Sequence, residues 1–323
     1  MIWLSWRQFR GQAAIVAAAA VAVAAYLVVL GLRIRDTYHS VTAAAARDTL
    51  RHDYFTALLL AGFLIVAVPA LVGAFWGAPL VARELEASTH RFVWNQSITR
   101  VRWLAVKLGL VTAAGMVVTG ALSTLFTWAA SPYDAVVEGR FDPLAFPTRN
   151  LVPLAYAAFA VVAGVTIGLL LRRTVAAIAV TLAAFAVLQI LVPTLVRPYV
   201  QTAVTKDVAY NAASSRDGAR INIKGGVARI EGYARPGAWV LSTSTELLDS
   251  AGTPITGDEL TACSTGDRAK DDACYEAEHA HFTVEYQPAD RYWTFQWLEA
   301  AAYLALAGLL AAVAFWRIPR ALN

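Results

Sequence analysis

Six long stretches of apolar residues constrain this chain more than any other feature of its sequence. They lie at 13–32, 55–82, 108–130, 151–171, 175–196 and 295–316, and Glu299 is the one charged residue among them. An α-helix needs about 20 apolar residues to cross the hydrocarbon core of a bilayer. Buried helices of soluble proteins rarely run so far without a polar face. The pattern therefore predicts an all-α polytopic membrane protein with six transmembrane helices.

Charged residues are too few for a water-soluble fold. They form 15% of the chain, against about 25% in an average soluble domain. The formal net charge is +4, but only four of the basic residues are lysines and they do not cluster. Nucleic-acid-binding domains concentrate their basic residues on one face. We therefore expect membrane lipid around this chain and no nucleic acid.

The first twelve residues have the pattern of an interfacial helix. Ile2, Trp6 and Phe9 would share one helical face and Arg7 and Arg10 would lie elsewhere, as in amphipathic helices on a membrane surface. A cleaved signal peptide is the alternative, because the arginines precede an apolar run. That run is longer than the roughly 7–15 residues usual in signal peptides, and it lacks a small-residue cleavage site.

Lysine and arginine in the short loops predict the orientation of the spans. If the N-terminus is cytoplasmic, the inner loops hold eleven basic residues, opposed only by Glu84 and Glu86. These are Arg7, Arg10, Arg83, Arg91, Arg100, Arg102, Lys107, Arg172, Arg173, Arg317 and Arg320. The short outer loops hold six basic and six acidic residues. Because cytoplasmic loops carry the excess of positive charge, we expect both termini in the cytoplasm.

Residues 197–294 have the composition of a water-exposed domain inserted between the fifth and sixth spans. Apolar and polar residues alternate at 220–224 and at 281–286, as in half-buried strands. Gly225 and Gly226 follow the first of these segments and favour a turn. The sequence thus predicts a mixed α/β extracellular domain at 197–294, between spans one to five at 13–196 and a last span with its cytoplasmic tail at 295–323.

The chain has two cysteines, Cys263 and Cys274, and both lie in this domain. Outside the cell a disulfide between them is the natural expectation. A metal site that adds His279 and His281 is the alternative. The spacing of the cysteines matches no familiar zinc pattern, so we expect the disulfide and no metal.

The inner loop at 83–103 has more charged, aromatic and hydrogen-bonding residues than a turn between two helices needs. It combines charged residues, hydrogen-bonding side chains, Trp94 and Trp103. One interpretation is an interfacial helix with tryptophan at the headgroups and arginine near anionic lipid. The other is a docking element for a cytoplasmic partner.

The same loop resembles a motif of permease subunits in type-2 ATP-binding-cassette (ABC) exporters. That motif has two glutamates one residue apart, a Gly-Thr pair, a later Ser-Arg pair and a lysine that opens the next span. The matching positions here are Glu84, Glu86, Ser88-Thr89, Thr99-Arg100 and Lys107, with Ser88 and Thr99 as the departures. The string Thr89-His90-Arg91, Trp94, Gln96-Ser97, Thr99-Arg100 and Arg102-Trp103 is similar to the actinobacterial branch.

The resemblance implies a fold, a location and partners. A permease of this family lies in the bacterial plasma membrane with a second permease subunit, identical or paralogous, and couples substrate export to a separate ATP-binding subunit. The residues that would couple the two subunits are Glu84, Glu86, Thr89, His90, Arg91, Trp94, Gln96 and Arg100. The chain has no Gly-x-x-x-x-Gly-Lys-Ser/Thr loop. It is therefore expected to be no enzyme and to bind no cofactor, with ATP and Mg²⁺ on the partner subunit.

Two features inside the spans carry further expectations. Glu299 is an intramembrane charge, which points to function by default, so a gating or substrate-path role is expected near the outer boundary, where it could reach water. The scarcity of other charges favours amphipathic substrates over ions. Glycines at 73, 77, 164 and 168 would allow close helix approach.

Three other functions are alternatives to a transporter subunit of this family. A membrane sensor or immunity protein would use the outer domain to bind a ligand or partner. An intramembrane enzyme would need Asp or His within the spans, and the spans contain neither. A secondary transporter would show internal repeats, which the sequence lacks.

Overall fold

The computed structural model describes residues 2–86, 99–137 and 139–320. Six of its helical stretches are long and apolar enough to cross a membrane, which confirms the predicted number of spans. They are Val16–Ser40, Ala45–Glu86, Arg100–Val137, Val152–Leu171, Thr174–Tyr199 and Ala289–Arg320.

The helices overlap the predicted spans but differ from them in length: the first runs to residue 40, beyond the predicted end at 32, and the second begins at residue 43, before the predicted start at 55. In chain order the α-helices are α1 (Ile2–Ser40), α2 (Ala43–Val72), α3 (Ala78–Glu86), α4 (Arg100–Val137), α5 (Val152–Leu171), α6 (Thr174–Leu191), α7 (Ala212–Arg216), α8 (Gly257–Ala262), α9 (Arg268–Ala277) and α10 (Tyr292–Arg320). Helix α1 is continuous, so the segment at 2–12 and the first span form one helix. Whether that segment lies at a membrane interface stays a prediction.

The chain forms two compact units. The membrane unit contains α1 to α6 and α10 from residue 293 onwards. The sheet module contains residues 139–142 and Pro198–Tyr292. Phe141 belongs to that module, where its ring stacks on Trp239 at 6.2 Å and meets Tyr292 edge-on at 5.4 Å.

Helix α5 is the central helix of the membrane unit. Within its most apolar window 78% of the residues are buried, against 17% in the span formed by α6. Pro153 lies in the first turn of α5, where a missing N–H costs no hydrogen bond. Arg172 ends α5 in the left-handed conformation, with φ 56°.

A π-helical turn at Gly73–Gly77 joins α2 to α3 and packs directly on α5. A methyl group on Gly164 would lie 2.3 Å from the carbonyl oxygen of Gly73, and one on Gly168 would lie 2.5 Å from that of Ala78. A methyl group on Gly73 would lie 2.5 Å from the carbonyl oxygen of Ala160. The predicted close approach at these glycines is confirmed, and it brings backbone against backbone.

The sheet module is built on antiparallel strands. They are β1 (Val204–Ala209), β2 (Arg220–Lys224), β3 (Val227–Glu231), β4 (Trp239–Val240), β5 (Ser244–Leu248) and β6 (His281–Gln287). The order is β1-β6-β5-β3-β2, and β4 also pairs with β6. Both predicted strand segments are therefore confirmed. Gly225 and Gly226, with φ 67° and 80°, form the turn between β2 and β3, as two-residue hairpins require.

One face of the sheet forms the core of the module. Phe282, Val284 and Tyr286 of β6 are buried, as are Ile230 of β3 and Leu247 of β5. A disulfide links Cys263, at the end of α8, to Cys274 of α9, with 5.5 Å between the Cα atoms. The predicted pairing is present, so neither thiol is left for the alternative metal site.

Candidate functional site

Glu84 forms an ion pair with Lys107 at the start of the inner loop. Lys107 of α4 donates to Oε1 of Glu84, and the two side chains are 9% and 19% exposed. The ammonium group of Lys107 also lies 4.6 Å from the ring centroid of Trp103. Helices α3 and α4, which flank the inner loop, are thus joined at their loop ends by a largely buried charge pair.

Glu86 contacts a different helix. Its Oε2 accepts hydrogen bonds from the backbone N–H of Thr174 at 3.0 Å and from the Thr174 hydroxyl at 2.7 Å. Thr174 is the first residue of α6, and the preceding Arg173 supplies no side-chain cap to this helix. A carboxylate at a helix N-terminus satisfies free N–H groups and complements the helix dipole. Glu86 therefore caps α6 from the end of α3.

Arg100 joins the far end of the loop to α10. Its Nη1 donates to the carbonyl oxygen of Pro319 at 3.1 Å. The structure thus places three of the predicted coupling residues, Glu84, Glu86 and Arg100, on contacts within the chain. The other predicted coupling residues lie outside the described residues; they are Thr89, His90, Arg91, Trp94 and Gln96.

Glu299 lies in a buried charge cluster. Arg197 donates to it twice, from Nε to Oε2 at 2.7 Å and from Nη2 to Oε1 at 3.0 Å. Tyr156 of α5 donates its hydroxyl to the same carboxylate. The side chains of Arg197 and Glu299 are 1% and 6% exposed. The expectation that Glu299 reaches water is wrong, because this carboxylate is enclosed by its partners.

Aromatic rings surround the cluster. The guanidinium carbon of Arg197 lies 4.2 Å from the ring centroid of Phe146, a cation–π distance. Tyr303, one turn beyond Glu299 on α10, packs edge-on against Tyr156 at 4.5 Å. Such rings can stabilise a guanidinium away from water. The cluster is therefore held by an ion pair, a phenol and aromatic faces together.

Gln296 forms a second set of hydrogen bonds between α10 and the start of α5. Its Oε1 accepts from the backbone N–H groups of Leu151 and Val152, both at 3.2 Å. It is fully buried and caps the start of α5 from outside that helix. Gln296, Glu299 and Tyr303 are spaced i, i+3 and i+7, so they share one face of α10.

Sequence reasoning missed Arg197, Tyr156, Gln296 and Thr174. For Arg197 a signal existed, because an acidic residue within a span needs a partner and Arg197 is the first basic residue after the fifth span. The role of Thr174 depends on the residue at which α6 begins, and the sequence pattern does not define that residue. In the part of the chain that the structure describes, no group of three His, Cys, Asp or Glu could hold a metal ion.

The comparison with protein families identifies the helical part of the chain. The family described as "ABC-2 membrane transporter related" matches residues 17–197, which is more than half of the 323 residues. This chain belongs to the ABC-2 membrane transporter related family. The comparison with curated proteins finds no match, and the comparison with solved structures finds none either.

Membership in the ABC-2 family assigns the chain to membrane transport. An ABC-2 permease is a multi-pass membrane component that works with an ATP-binding partner and is not itself the ATPase. The matched region contains the inner loop, α5 and α6, and ends at Arg197. Most of the sheet module and all of α10, with Glu299, lie beyond it.

Proposed function

We propose that this chain is the permease subunit of an ABC exporter. ATP and Mg²⁺ bind a separate nucleotide-binding subunit, which docks on the inner loop at 83–103, and its closure on ATP moves the helices of the permease. The assignment of the loop to the actinobacterial branch of these permeases is part of this proposal. Two permease subunits, identical or paralogous, complete the transporter.

The arrangement of the loop ends is the observation that supports this proposal most directly. Glu84 contacts α4, Glu86 contacts α6 and Arg100 contacts α10. A segment tied in this way to three helices transmits displacement to all of them, whereas a free loop would absorb it. Together with family membership, this is what a docking element for an ATP-driven partner requires.

The topology in the proposal has both termini and the inner loop in the cytoplasm. The sheet module is then extracellular, where its disulfide is stable. Cysteine labelling tests this, using Arg173→Cys in the turn before α6 and Ala251→Cys on an exposed turn of the sheet module. A membrane-impermeant maleimide applied to intact cells should label the second variant and spare the first. The reverse pattern would invert the topology.

Glu299 has a gating role in this proposal. Its carboxylate is already occupied by Arg197 and Tyr156, which favours a closing contact between helices over direct contact with substrate.

The substrates in this proposal are amphipathic molecules. A largely apolar cavity of about 570 Å³ is lined by α1, α2, the π-helical turn, α3 and α4, including Val23, Leu64, Phe75 and Leu122.

A ligand-sensing or immunity function is the second candidate. The sheet module has a cavity of about 390 Å³ whose lining includes Lys206, Asp217, Tyr233 and Arg235. The guanidinium of Arg235 lies 4.4 Å from the ring centroid of Tyr286. Such a protein would bind a ligand through this module without moving a substrate across the membrane.

Co-purification with ABC ATP-binding subunits from the same genome tests the proposal. The wild-type chain should retain one such subunit in detergent and change its rate of ATP hydrolysis. Arg91→Glu combined with Trp94→Ala should weaken both effects at least tenfold. Arg220→Glu, on an exposed strand of the sheet module, is the charge-matched control and should leave them unchanged. Binding that survives the loop variant would refute docking on this loop.

A further inference from the structure

The two glutamates at the end of α3 reach different helices. Two residues apart on a helix, they are separated by about 200° around its axis. Glu84 contacts Lys107 of α4, and Glu86 contacts Thr174 of α6. The chain therefore enters the inner loop from a helix end that is fixed on two sides.

The contact of Glu86 lies at a position where the fold needs it. Helix α6 starts after a tight turn in which Arg172 adopts φ 56° and Arg173 provides no cap. The free N–H of Thr174 is satisfied by a residue 88 positions earlier in the chain. Since one oxygen of Glu86 accepts both bonds from Thr174, the direction of the Glu86 side chain is set by α6.

We propose that Glu86 is a positioning residue, which acts on the ATP-binding subunit through Thr174 and not by touching that subunit. This rests on the proposed function, in which the inner loop docks that subunit. Glu86 fixes the end of α3 to the start of α6, and so sets the angle at which the loop leaves the membrane unit. Docking then moves α6 together with the loop.

A double-mutant cycle tests the proposal on the full chain with its ATP-binding subunit. The variants are Glu86→Ala, Thr174→Val and both together, with Thr174→Ser as the rescue because it keeps the hydroxyl. Thr124→Val is the matched control, since it removes a hydroxyl that only bonds within its own helix. The readouts are affinity for the subunit, substrate moved per ATP hydrolysed and the melting temperature.

Positioning predicts shared losses. Glu86→Ala should weaken binding about tenfold and Thr174→Val about threefold, because the first variant removes both hydrogen bonds, the second removes only one, and both bonds are exposed to solvent. The double variant should match Glu86→Ala, because Glu86→Ala already removes the one hydrogen bond that Thr174→Val removes. Substrate moved per ATP should fall in all three, with Thr174→Ser and Thr124→Val at wild-type values. A merely stabilising contact would lower the melting temperature and leave this ratio unchanged.

Three results would overturn the inference. If Glu86→Gln, which keeps a side-chain oxygen that can accept both bonds from Thr174, loses binding as fully as Glu86→Ala, the carboxylate touches the partner directly. If Glu86→Ala and Thr174→Val both behave like wild type while Arg91→Glu with Trp94→Ala loses binding, docking stands and positioning by Glu86 is wrong. If the wild-type chain binds no ATP-binding subunit, the proposed function itself fails, and this inference falls with it.

Discussion

Arg197 and Glu299 pair through two hydrogen bonds across 102 residues of sequence, at 2.7 and 3.0 Å. Arg197 lies near the end of the fifth helical stretch, Thr174–Tyr199, beyond α6 itself, and Glu299 lies in α10. The pair therefore joins the two membrane-spanning stretches between which the sheet module is inserted in the chain. Both side chains are buried. Removing only one of the two side chains would therefore leave the other charge buried without its ion-pair partner.

Removing one partner of this pair should destabilise the membrane unit strongly. Arg197→Met or Glu299→Leu alone leaves an unpaired buried charge, at a cost of about 3–5 kcal/mol. The double variant should recover most of that loss. Denaturant unfolding in detergent micelles measures it.

The matched control for that prediction is the pair Arg229 and Glu246 in the sheet module. Their side chains are 30% and 46% exposed, so Arg229→Ala should cost at most about 1 kcal/mol. Equal losses at the two sites would mean that burial of the Arg197–Glu299 pair does not set its energy.

Gly164 should not tolerate even a methyl group. Because a Cβ there would lie 2.3 Å from the carbonyl oxygen of Gly73, Gly164→Ala must push α5 away from the π-helical turn. We expect a loss of about 3 kcal/mol, at the upper end for overpacking, in unfolding experiments. Gly308→Ala is the control, since nothing lies within 4 Å of its Cβ position; a comparable loss there would remove the steric explanation.

The disulfide should hold α8 and α9 together. It closes a loop with a sequence separation of 11, for which chain entropy gives about 3 kcal/mol. Cys263→Ser with Cys274→Ser should therefore increase hydrogen exchange in both helices and leave β2 and β3 unaffected. Free thiols in wild-type protein purified without reductant would contradict the assignment.

Two carboxylates should make the same region sensitive to acid. Glu259 accepts from the backbone N–H and hydroxyl of Thr256, which lowers its pKa below the usual 4.5. The hydroxyl and N–H of Thr265 likewise lower the pKa of Asp271. A carboxyl group whose pKa is lower in the folded chain than in the unfolded chain stabilises the fold at pH values above its unfolded pKa. This contribution is lost as the pH falls through the pKa of the folded chain.

The protection of α8 amides, measured as the exchange rate relative to the intrinsic rate at the same pH, should therefore fall below about pH 4.5. Thr256→Val removes one of the bonds that lower the pKa of Glu259, so this variant should show a weaker dependence on pH. Thr261→Val is the control, because its hydroxyl bonds only to the carbonyl oxygen of Asp258. An identical pH profile for wild type and Thr256→Val would contradict the account.

Local patterns were enough to predict much of the fold. The spans follow from apolar length, β2 and β6 from alternating residues, and the hairpin turn from Gly225 and Gly226. The disulfide follows from the presence of two cysteines in the chain, both in the domain that the sequence predicts to be extracellular. Each of these depends on neighbours in sequence, which is why periodicity and composition revealed them.

The contacts of the candidate site depend on which helices meet in three dimensions. The position of Glu299 within an apolar span marks it as important, but nothing in the sequence pairs it with Arg197, which opens the polar segment at 197–294. The loop pattern predicts that Glu86 serves a partner protein, and it gives no sign of the contact that Glu86 makes with Thr174 at the start of α6. The pairing of helices is a tertiary property, and no spacing within one helix encodes it.

A site-specific photocrosslink tests the central claim, docking of an ATP-binding subunit on the inner loop, most directly. A photoreactive amino acid placed at Trp94 in the full chain should crosslink to the ATP-binding subunit in membranes. The same group at Trp239, in the sheet module, should not. Crosslinking from Trp239 but not from Trp94 would place the partner on the other unit and contradict the account.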